Sequence, residues 1–335
     1  MYGFEELVEK LNTDSVSYNN ATVLITGGAG FLGSWLTDTL LHLNANIINV
    51  DNYSSGVERN ISNYFVNKNF KFIRHDISYP LDIKEDIDFI FHMASRASPF
   101  EFSKFPIEIL RANTIGTMNV LEIAAEKNAK LVYTSTSEAY GDPDPKFIPT
   151  PETYFGNVNP NGPRSCYDES KRTGEAFVKA YILEKNLDAR IIRIFNTYGP
   201  RMRSGDLYGR VIPNFLDQAL NNKPITVFGD GSQTRSFTYV TDEIEGILKT
   251  GFESKAYDQV INIGNNKENT VLELAKIILE ITNSNSEIKF FPLPKDDPKR
   301  RCPDIALAKK LLNWTPTTPL KVGLKRQIDF LSSKR

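Results

Sequence analysis

The sequence predicts an α/β fold: a doubly wound parallel sheet combined with a smaller, mixed α/β domain toward the C-terminal end. From Thr22 onward, short β-branched apolar runs alternate with longer segments of helical period, as in a parallel sheet covered by helices on both faces. A glycine-rich turn follows the first run and opens a helix. After Asn196 prolines and glycines interrupt the pattern, which predicts the more irregular second domain.

Six strands are predicted for the sheet, each bounded by polar or glycine-containing turns. Their ranges are 22–26, 45–51, 70–76, 87–92, 130–136 and 189–196. Residues 106–127 place apolar side chains largely along one face, which predicts a single packed amphipathic helix. The N-terminal residues 1–20 are expected to be an extension that carries a short surface helix.

The composition narrows the classes of partner. Among 335 residues, 40 Lys and Arg balance 41 Asp and Glu, so no global positive field favours nucleic acid or an anionic membrane surface. Two cysteines and three histidines provide neither a disulfide framework nor metal-ligand spacing, so no metal is expected. The sequence shows no signal peptide and no apolar run of about 18 residues. A cytoplasmic protein is therefore expected.

The turn after the first strand reads G-x-x-G-x-x-G, with Gly27, Gly30 and Gly33 at the fixed positions. Such glycines let the backbone approach a pyrophosphate over a helix N-terminus, although a glycine-rich turn without a ligand is the alternative. Asp51 ends the second strand about 20 residues further on, where a carboxylate accepts the ribose hydroxyls of NAD and repels the 2′-phosphate of NADP. The predicted cofactor-binding residues are Gly27, Gly30, Phe31, Leu32, Gly33, Asp51, Asn52, Asp76, Ile77, Tyr167 and Lys171, with Asp76 equally well explained as a turn residue.

Tyr167 and Lys171 stand four apart in a predicted helix, so both side chains lie on one face. We expect the lysine ammonium to lower the pKa of the phenol, which could then take a hydroxyl proton while hydride leaves the same carbon. An exposed ion-pairing position is the default for an isolated match. The predicted strand 130–136 ends in Thr136 and is followed by Ser137 and Glu138. These side chains should face the phenol of Tyr167, although turn chemistry is the commoner explanation for such residues.

Several stretches together resemble the extended short-chain dehydrogenases that modify nucleotide sugars, over nearly the whole chain after residue 20. They are the glycine turn 27–33, the triplet Thr136-Ser137-Glu138, the Tyr167 to Lys171 segment and the run RIFNTYGP at 193–200. Within that group, the UDP-glucuronate decarboxylases, or UDP-xylose synthases, are most similar through GNVNP at 156–160, GPRSCYDE at 162–169 and DDP at 296–298. Sugar 4,6-dehydratases resemble the triplet with Asp-Glu in place of Ser137-Glu138, and 4-epimerases generally lack the glutamate.

The resemblance implies oxidation of the sugar at C4 by bound NAD, loss of carbon dioxide from C5, protonation there and return of hydride to C4. It implies Tyr167 as the redox base, Lys171 as its partner and Glu138 as a proton shuttle. Thr136 and Ser137 would be hydroxyl donors, and Arg301 would meet the anionic end of the substrate. The residues implied to cradle the nucleotide diphosphate, each of which has a surface residue as its alternative, are Asn196, Arg210, Gln233 and Arg235.

The resemblance also implies a Rossmann-type division of the chain. An NAD-binding domain would span residues 21–197, completed by 238–264, and a nucleotide-sugar-binding domain would span 198–237 and 265–335. A homodimer through the helices at 106–127 and 166–183 is expected by family analogy.

Two departures from the decarboxylases lie near the expected substrate. Arg96 stands where they carry proline, and the tyrosine expected shortly afterwards is absent. Arg96 is therefore a candidate for binding a carboxylate or a differently placed anion. The loop from Arg203 to Tyr208 is about two residues longer than the family's version.

Three functions remain open at this point. The first is decarboxylation of UDP-glucuronate, and the second is a related UDP-sugar 4-epimerase or 4,6-dehydratase. The third, of a different class, is a catalytically silent Rossmann protein that senses NAD or scaffolds partners. The silent protein predicts erosion of the catalytic set, whereas Tyr167, Lys171, Thr136 and Glu138 are all present.

Overall fold

The computed structural model describes residues 2–205, 210–294 and 297–333. Seven parallel strands form the main sheet, in the order β3-β2-β1-β4-β5-β6-β11, and the other strands form small sheets. The strands are β1 Thr22–Thr26, β2 Asn46–Asp51, β3 Phe70–Arg74, β4 Phe89–His92, β5 Lys130–Thr136, β6 Ala189–Ile194, β7 Thr197–Tyr198, β8 Ile225–Phe228, β9 Thr234–Ser236, β10 Thr238–Tyr239, β11 Val260–Ile263, β12 Glu268–Thr270, β13 Ile288–Phe291 and β14 Arg300–Arg301. All six predicted strands are present, and the predicted doubly wound α/β fold is confirmed.

Helices cover both faces of this sheet because alternate side chains of its strands point to opposite sides. Val23 and Ile25 of β1 belong to one apolar core, and Leu24 belongs to the other. The helices are α1 Phe4–Thr13, α2 Phe31–His42, α3 Pro99–Phe102, α4 Pro106–Asn113, α5 Ile115–Lys127, α6 Ser165–Lys185, α7 Val211–Leu220, α8 Val240–Phe252, α9 Val271–Thr282, α10 Ala306–Leu312 and α11 Leu320–Ser332. Helices α1, α2 and α8 contribute to the first core, and α5 and α6 contribute to the second.

The segment 106–127 differs from the single helix that its periodicity predicts, because it divides into α4 and α5 at Thr114. The Thr114 hydroxyl donates to the carbonyl of Leu110 at 2.6 Å, and the Thr117 hydroxyl donates to that of Asn113 at 2.7 Å. Hydroxyls that bond back to the preceding turn compete with the backbone ladder and bend a helix. The expected N-terminal helix is present as α1, which buries Leu7 and Leu11.

The smaller sheets lie on the other side of the cleft described below. Strand β9 pairs with β12 and β14, and β8 pairs with β13. Strand β11, from a late segment of the chain, instead joins the edge of the main sheet beside β6. Within the described ranges, every helix is too short or too polar to cross a bilayer.

Candidate active site

A cleft of about 720 Å³ opens at the carboxyl ends of the main strands, where ligands gather in doubly wound sheets. It is lined by every residue that the sequence analysis selected, although those residues come from both parts of the fold. They are Gly27, Gly30, Phe31, Leu32, Gly33, Asp51, Asn52, Asp76, Ile77, Arg96, Thr136, Ser137, Glu138, Tyr167, Lys171, Asn196, Arg210, Gln233, Arg235 and Arg301.

The glycine turn is shaped for close approach of a ligand to the backbone. Gly27 has a φ of 73°, and a Cβ there would lie 2.7 Å from the Cα of Ala94. A Cβ on Gly33 would lie 2.3 Å from the carbonyl oxygen of Gly27, so a side chain at Gly27 forces the turn away from the backbone of Ala94, and one at Gly33 forces α2 away from the turn. Helix α2 begins at Phe31 with Gly30 as its N-cap and no side chain capping it. Its first N–H groups therefore suit a pyrophosphate.

Asp51 ends β2 beside this turn. Its carboxylate accepts the N–H of Ala29 at 3.0 Å and that of Tyr53 at 2.7 Å. Burial raises the pKa of Asp51, and these two hydrogen bonds counteract part of the rise. A carboxylate has about four acceptor sites, so about two are left for the hydroxyls of a ribose. The cradle fits the NAD that the motif predicts.

Asp76 lies next to Asn52 and also organises its own turn. It accepts from the N–H and hydroxyl of Ser78, at 2.9 and 2.7 Å, and from Nδ2 of Asn52 at 3.1 Å. Burial opposes ionisation, but these donors lower the pKa of Asp76. Asp76 therefore serves as a turn residue while it lines the cleft, so both interpretations of it are compatible.

Tyr167 and Lys171 are both buried on the cleft side of α6. The Tyr167 ring stacks on Phe102 with centroids 4.9 Å apart, and Lys171 Nζ donates to the carbonyl of Thr134 at 2.8 Å. Burial raises the pKa of Tyr167, and a hydrogen bond with Thr136 lowers it in part. Burial also lowers the pKa of Lys171 to about 7, which Glu175 counteracts in part.

This arrangement corrects one expectation from the sequence. The lysine ammonium alone does not bring the phenol of Tyr167 into the working range, because burial disfavours the charged form of both groups. The groups that favour the phenolate are the Thr136 hydroxyl and, to a smaller extent, the guanidinium of Arg164.

Glu138 forms ion pairs with Arg164 and with Arg301, which approaches from β14. Arg301 also donates to the carbonyl of Gly141 at 3.1 Å. Burial alone would raise the pKa of Glu138, but the two guanidinium groups lower it to about 2. Glu138 is therefore held as a carboxylate, and in this arrangement it carries no proton for the predicted shuttle.

The predicted nucleotide-binding residues line the same cleft. Arg235 pairs with Asp297 at 2.9 Å, and Gln233 donates to the carbonyl of Phe228 at 2.7 Å. The Nδ2 group of Asn196 is buried and has no hydrogen-bond partner among the described residues. Such an orphaned donor suits a ligand oxygen. Arg210 precedes α7 and also lines the cleft.

Arg96 lines the cleft but is largely engaged by the protein. Its guanidinium lies 2.7 Å from Glu101 and 3.3 Å from Glu108, and it packs 4.2 Å from the centroid of the Phe105 ring. These contacts support a positioning role better than direct capture of a carboxylate. The matched residue Asp296 and the loop residues 206–209, including Tyr208, lie outside the described residues.

Three residues at this site were not predicted from the sequence. Arg164 pairs with Glu138, and Oδ2 of Asp168 lies 3.7 Å from Nε of Arg164. Phe102 stacks on Tyr167. The spacing of four between Arg164 and Asp168 was a usable signal, because such a pair shares one face of a helix beside the tyrosine. Nothing in the sequence separates Phe102 from other apolar residues.

Comparisons with known proteins agree with this geometry. UDP-glucuronic acid decarboxylase 1 of Danio rerio is 46% identical over 310 residues, which cover 92% of this chain and 72% of that protein. UDP-glucuronic acid decarboxylase 5 of Arabidopsis thaliana is 44% identical over 317 residues, covering 94% of this chain and 90% of that protein.

Among solved structures, UDP-glucuronic acid 4-epimerase from Bacillus cereus, in complex with UDP-glucuronic acid and NAD, is similar with a TM-score of 0.83. The sequences are 28% identical, and the match covers 94% of this chain and 100% of that one. The family model described as the NAD dependent epimerase/dehydratase family matches residues 23–264. The chain belongs to the NAD dependent epimerase/dehydratase family, and its cofactor is NAD.

Proposed function

We propose that the chain decarboxylates UDP-glucuronate to UDP-xylose through a 4-keto intermediate, with bound NAD recycled in each turnover. The observation that carries the proposal is that one cleft joins the redox pair Tyr167 and Lys171 to the ion-paired cluster of Glu138, Arg164 and Arg301. The first pair suits oxidation of a sugar hydroxyl. The cluster supplies the positive charge that a sugar carboxylate requires. The identity to decarboxylases over most of the chain supports the same substrate.

The reaction begins at the C4 hydroxyl of the sugar. When bound, NAD supplies the acceptor for the C4 hydride and later the donor that returns it. Tyr167, as the phenolate that its hydrogen bond with Thr136 favours, takes the C4 hydroxyl proton, and Lys171 lies on the same helix face. Asp51 and the glycine turn hold the dinucleotide.

The second stage breaks the bond between C5 and the carboxylate. A ketone at C4 is β to this carboxylate, so carbon dioxide leaves while the electron pair delocalises into the ketone. Arg301, with Ser137 3.4 Å from its Nη1, holds the anionic end of the sugar in place for this step. A proton from water is then added at C5, and Tyr167 returns its proton to the C4 oxygen as hydride returns to C4.

Product analysis tests the proposal directly. UDP-glucuronate is incubated with the protein and NAD, and the sugar nucleotides are weighed by mass spectrometry. Loss of the mass of carbon dioxide is expected. An unchanged mass with altered chromatography would indicate 4-epimerisation, and loss of water would indicate dehydration. An absence of turnover under conditions where NAD is bound would contradict the proposal and favour a silent NAD-binding protein. Tyr167→Phe is the matched control and should form little product.

We also propose that the chain acts as a homodimer through α4, α5 and α6. Apolar side chains on all three helices are exposed, with Ile107 at 70%, Met118 at 41% and Leu183 at 83%. Light scattering after gel filtration should give twice the chain mass for the wild type and a smaller mass for Leu183→Glu. Val66→Glu, at an exposed apolar residue elsewhere, is the control. A wild-type monomer would contradict this proposal.

A cytoplasmic location remains part of the proposal, and it is supported by the two cysteines, both buried and unpaired. Fractionation of cells that express the tagged chain tests the location.

We also propose a division of the chain into two domains. The NAD-binding domain comprises 21–197 with 238–264, and the nucleotide-sugar-binding domain comprises 198–237 with 265–335. The division is supported by the pairing of β11 with β6 in the main sheet.

A further inference from the structure

Asp168 is a buried carboxylate beside Arg164. Arg164 and Arg301 both pair with Glu138, and these three residues form the part of the cleft wall that would receive a substrate carboxylate. Asp168 is 5% exposed, and one of its oxygens lies 3.7 Å from Nε of Arg164. Its Oδ1 atom is buried and has no hydrogen-bond partner among the described residues. The mechanism proposed above gives this carboxylate no task. An ionised carboxylate with an unsatisfied buried oxygen is costly, which suggests that its charge changes during function.

The charges around Asp168 come from three parts of the fold. Its own end of the helix provides the charges of Arg164 and Glu169 and the titratable side chains of Cys166 and Tyr167. Glu138 and Arg301 act on it from other parts of the fold. Asp297 acts indirectly, through its effect on Arg164. Two guanidinium groups and the carboxylate of Glu138 leave a single positive charge in the connected cluster. Ionisation of Asp168 reduces that charge to zero. Its protonation restores it.

The two carboxylates of the cluster compete for the same arginine, and the competition is unequal. Glu138 forms ion pairs with both guanidinium groups, whereas among the described residues Asp168 has an ion-pair contact with Arg164 and feels Arg301 from farther away. Burial and the charge of Glu138 raise the pKa of Asp168 to about 7, while Arg164 and Arg301 hold that of Glu138 at about 2. A proton taken up by the cluster near neutral pH therefore resides on Asp168.

We propose that Asp168 is a positioning residue that sets the net charge of the wall receiving the substrate carboxylate. When Asp168 is protonated, the wall carries one positive charge, which a bound carboxylate neutralises. When Asp168 is ionised, the wall is already neutral, so a carboxylate binds only together with a proton. The inference rests on the proposed function, because it assumes a sugar carboxylate at Arg301.

Binding at two pH values tests this coupling without requiring turnover. Isothermal titration of the NAD-loaded Tyr167→Phe variant, which should form little product and serves as the background for all the variants below, measures UDP-glucuronate and, as the matched ligand without a carboxylate, UDP-glucose. Because binding and protonation are linked, UDP-glucuronate should bind about tenfold more weakly at pH 8 than at pH 6. UDP-glucose should show no such loss, and the comparison also cancels any effect of His75, which lines the same cleft.

Variants assign the effect to Asp168. Asp168→Asn keeps the neutral form at every pH, so its affinity for UDP-glucuronate should lose the pH step. Glu169→Gln removes the neighbouring carboxylate, which is paired with Arg172, and should keep the step. Lys171, whose pKa burial lowers to about 7, remains in both variants. A step that persists in Asp168→Asn would thus belong to Lys171 or another group and would overturn the proposal.

Proton uptake gives a second measurement on the same Tyr167→Phe background with Asp168 intact, in case Asp168→Asn does not fold. Titrations at pH 8 in buffers of different ionisation enthalpy should show uptake of about one proton for each UDP-glucuronate bound and none for UDP-glucose. Equal uptake for the two ligands, or none for either, would overturn the inference. Because these readouts are binding measurements, they separate its failure from a failure of turnover, which would contradict the proposed decarboxylation itself.

Discussion

The substitution Lys171→Met should stabilise the nucleotide-free protein while it abolishes turnover. Burial lowers the pKa of Lys171 from its ordinary value of 10.5 to about 7. At about 1.4 kcal/mol for each pKa unit, holding this lysine in the folded state near pH 7 costs about 4 to 5 kcal/mol. The variant recovers this cost but loses the hydrogen bond to the carbonyl of Thr134, which contributes about 1.5 to 3 kcal/mol. A net gain of about 1 to 4 kcal/mol is expected.

The sign of the pH dependence distinguishes this reasoning from a simple packing effect. The folded-state pKa of Lys171 is lowered, so the cost is complete below pH 7 and disappears as the pH rises toward 10.5. The advantage of Lys171→Met should therefore shrink by about 2 kcal/mol between pH 7 and pH 9. An advantage that is constant or grows with pH would refute the argument.

Urea unfolding followed by tryptophan fluorescence at pH 7, 8 and 9, with NAD removed, measures this difference. Lys179→Met is the matched control because it removes a half-exposed lysine from the same helix. In the wild type this lysine pairs with Asp258. That variant should have the same pH slope as the wild type.

Three further predictions concern single side chains. Tyr167→Phe should bind NAD normally but reduce kcat by about 10²- to 10⁴-fold, measured as carbon dioxide release; a loss below tenfold would remove Tyr167 as the base. Asp51→Asn should weaken NAD binding, because an amide cannot accept from both backbone N–H groups that now bond the carboxylate; unchanged affinity by fluorescence titration would contradict this. Burial raises the pKa of Glu243, whose Oε2 accepts from the Thr197 hydroxyl at 3.0 Å. The protonated Glu243 side chain therefore contributes to stability at low pH, and this contribution is lost as the pH rises through the raised pKa. Glu243→Gln should therefore raise the Tm at pH 8 more than at pH 4, and a reversed order would count against the argument.

The positions of the strands in the main sheet were readable from the chain because local patterns determine them. Runs such as residues 22–26 are apolar and β-branched, and they occur where the structure has a strand buried on both faces. The periodicity at 106–127 also gave the helical character correctly. It could not show the division at Thr114, because a hydroxyl that bonds back to the preceding turn leaves the apolar pattern unchanged.

The charge states of the side chains at the site were harder to predict from the sequence. The sequence identified Glu138, Tyr167 and Lys171 as residues of one site, and the cleft brings them together. It suggested a proton shuttle at Glu138 and a lysine that lowers the pKa of the tyrosine. Ion pairing lowers the pKa of Glu138 and burial raises that of Tyr167, and both depend on neighbours that are distant in the chain.

The sequence by itself therefore determined the doubly wound sheet, the dinucleotide turn and the choice of candidate reactive side chains, since each depends on residues close together in the chain. Only the tertiary structure decided which of these groups hold a proton. Arg301 lies 164 positions from Ser137, yet it approaches Ser137 and forms an ion pair with the adjacent Glu138. An electrostatic environment is a sum over all neighbours in space, and no local pattern contains it.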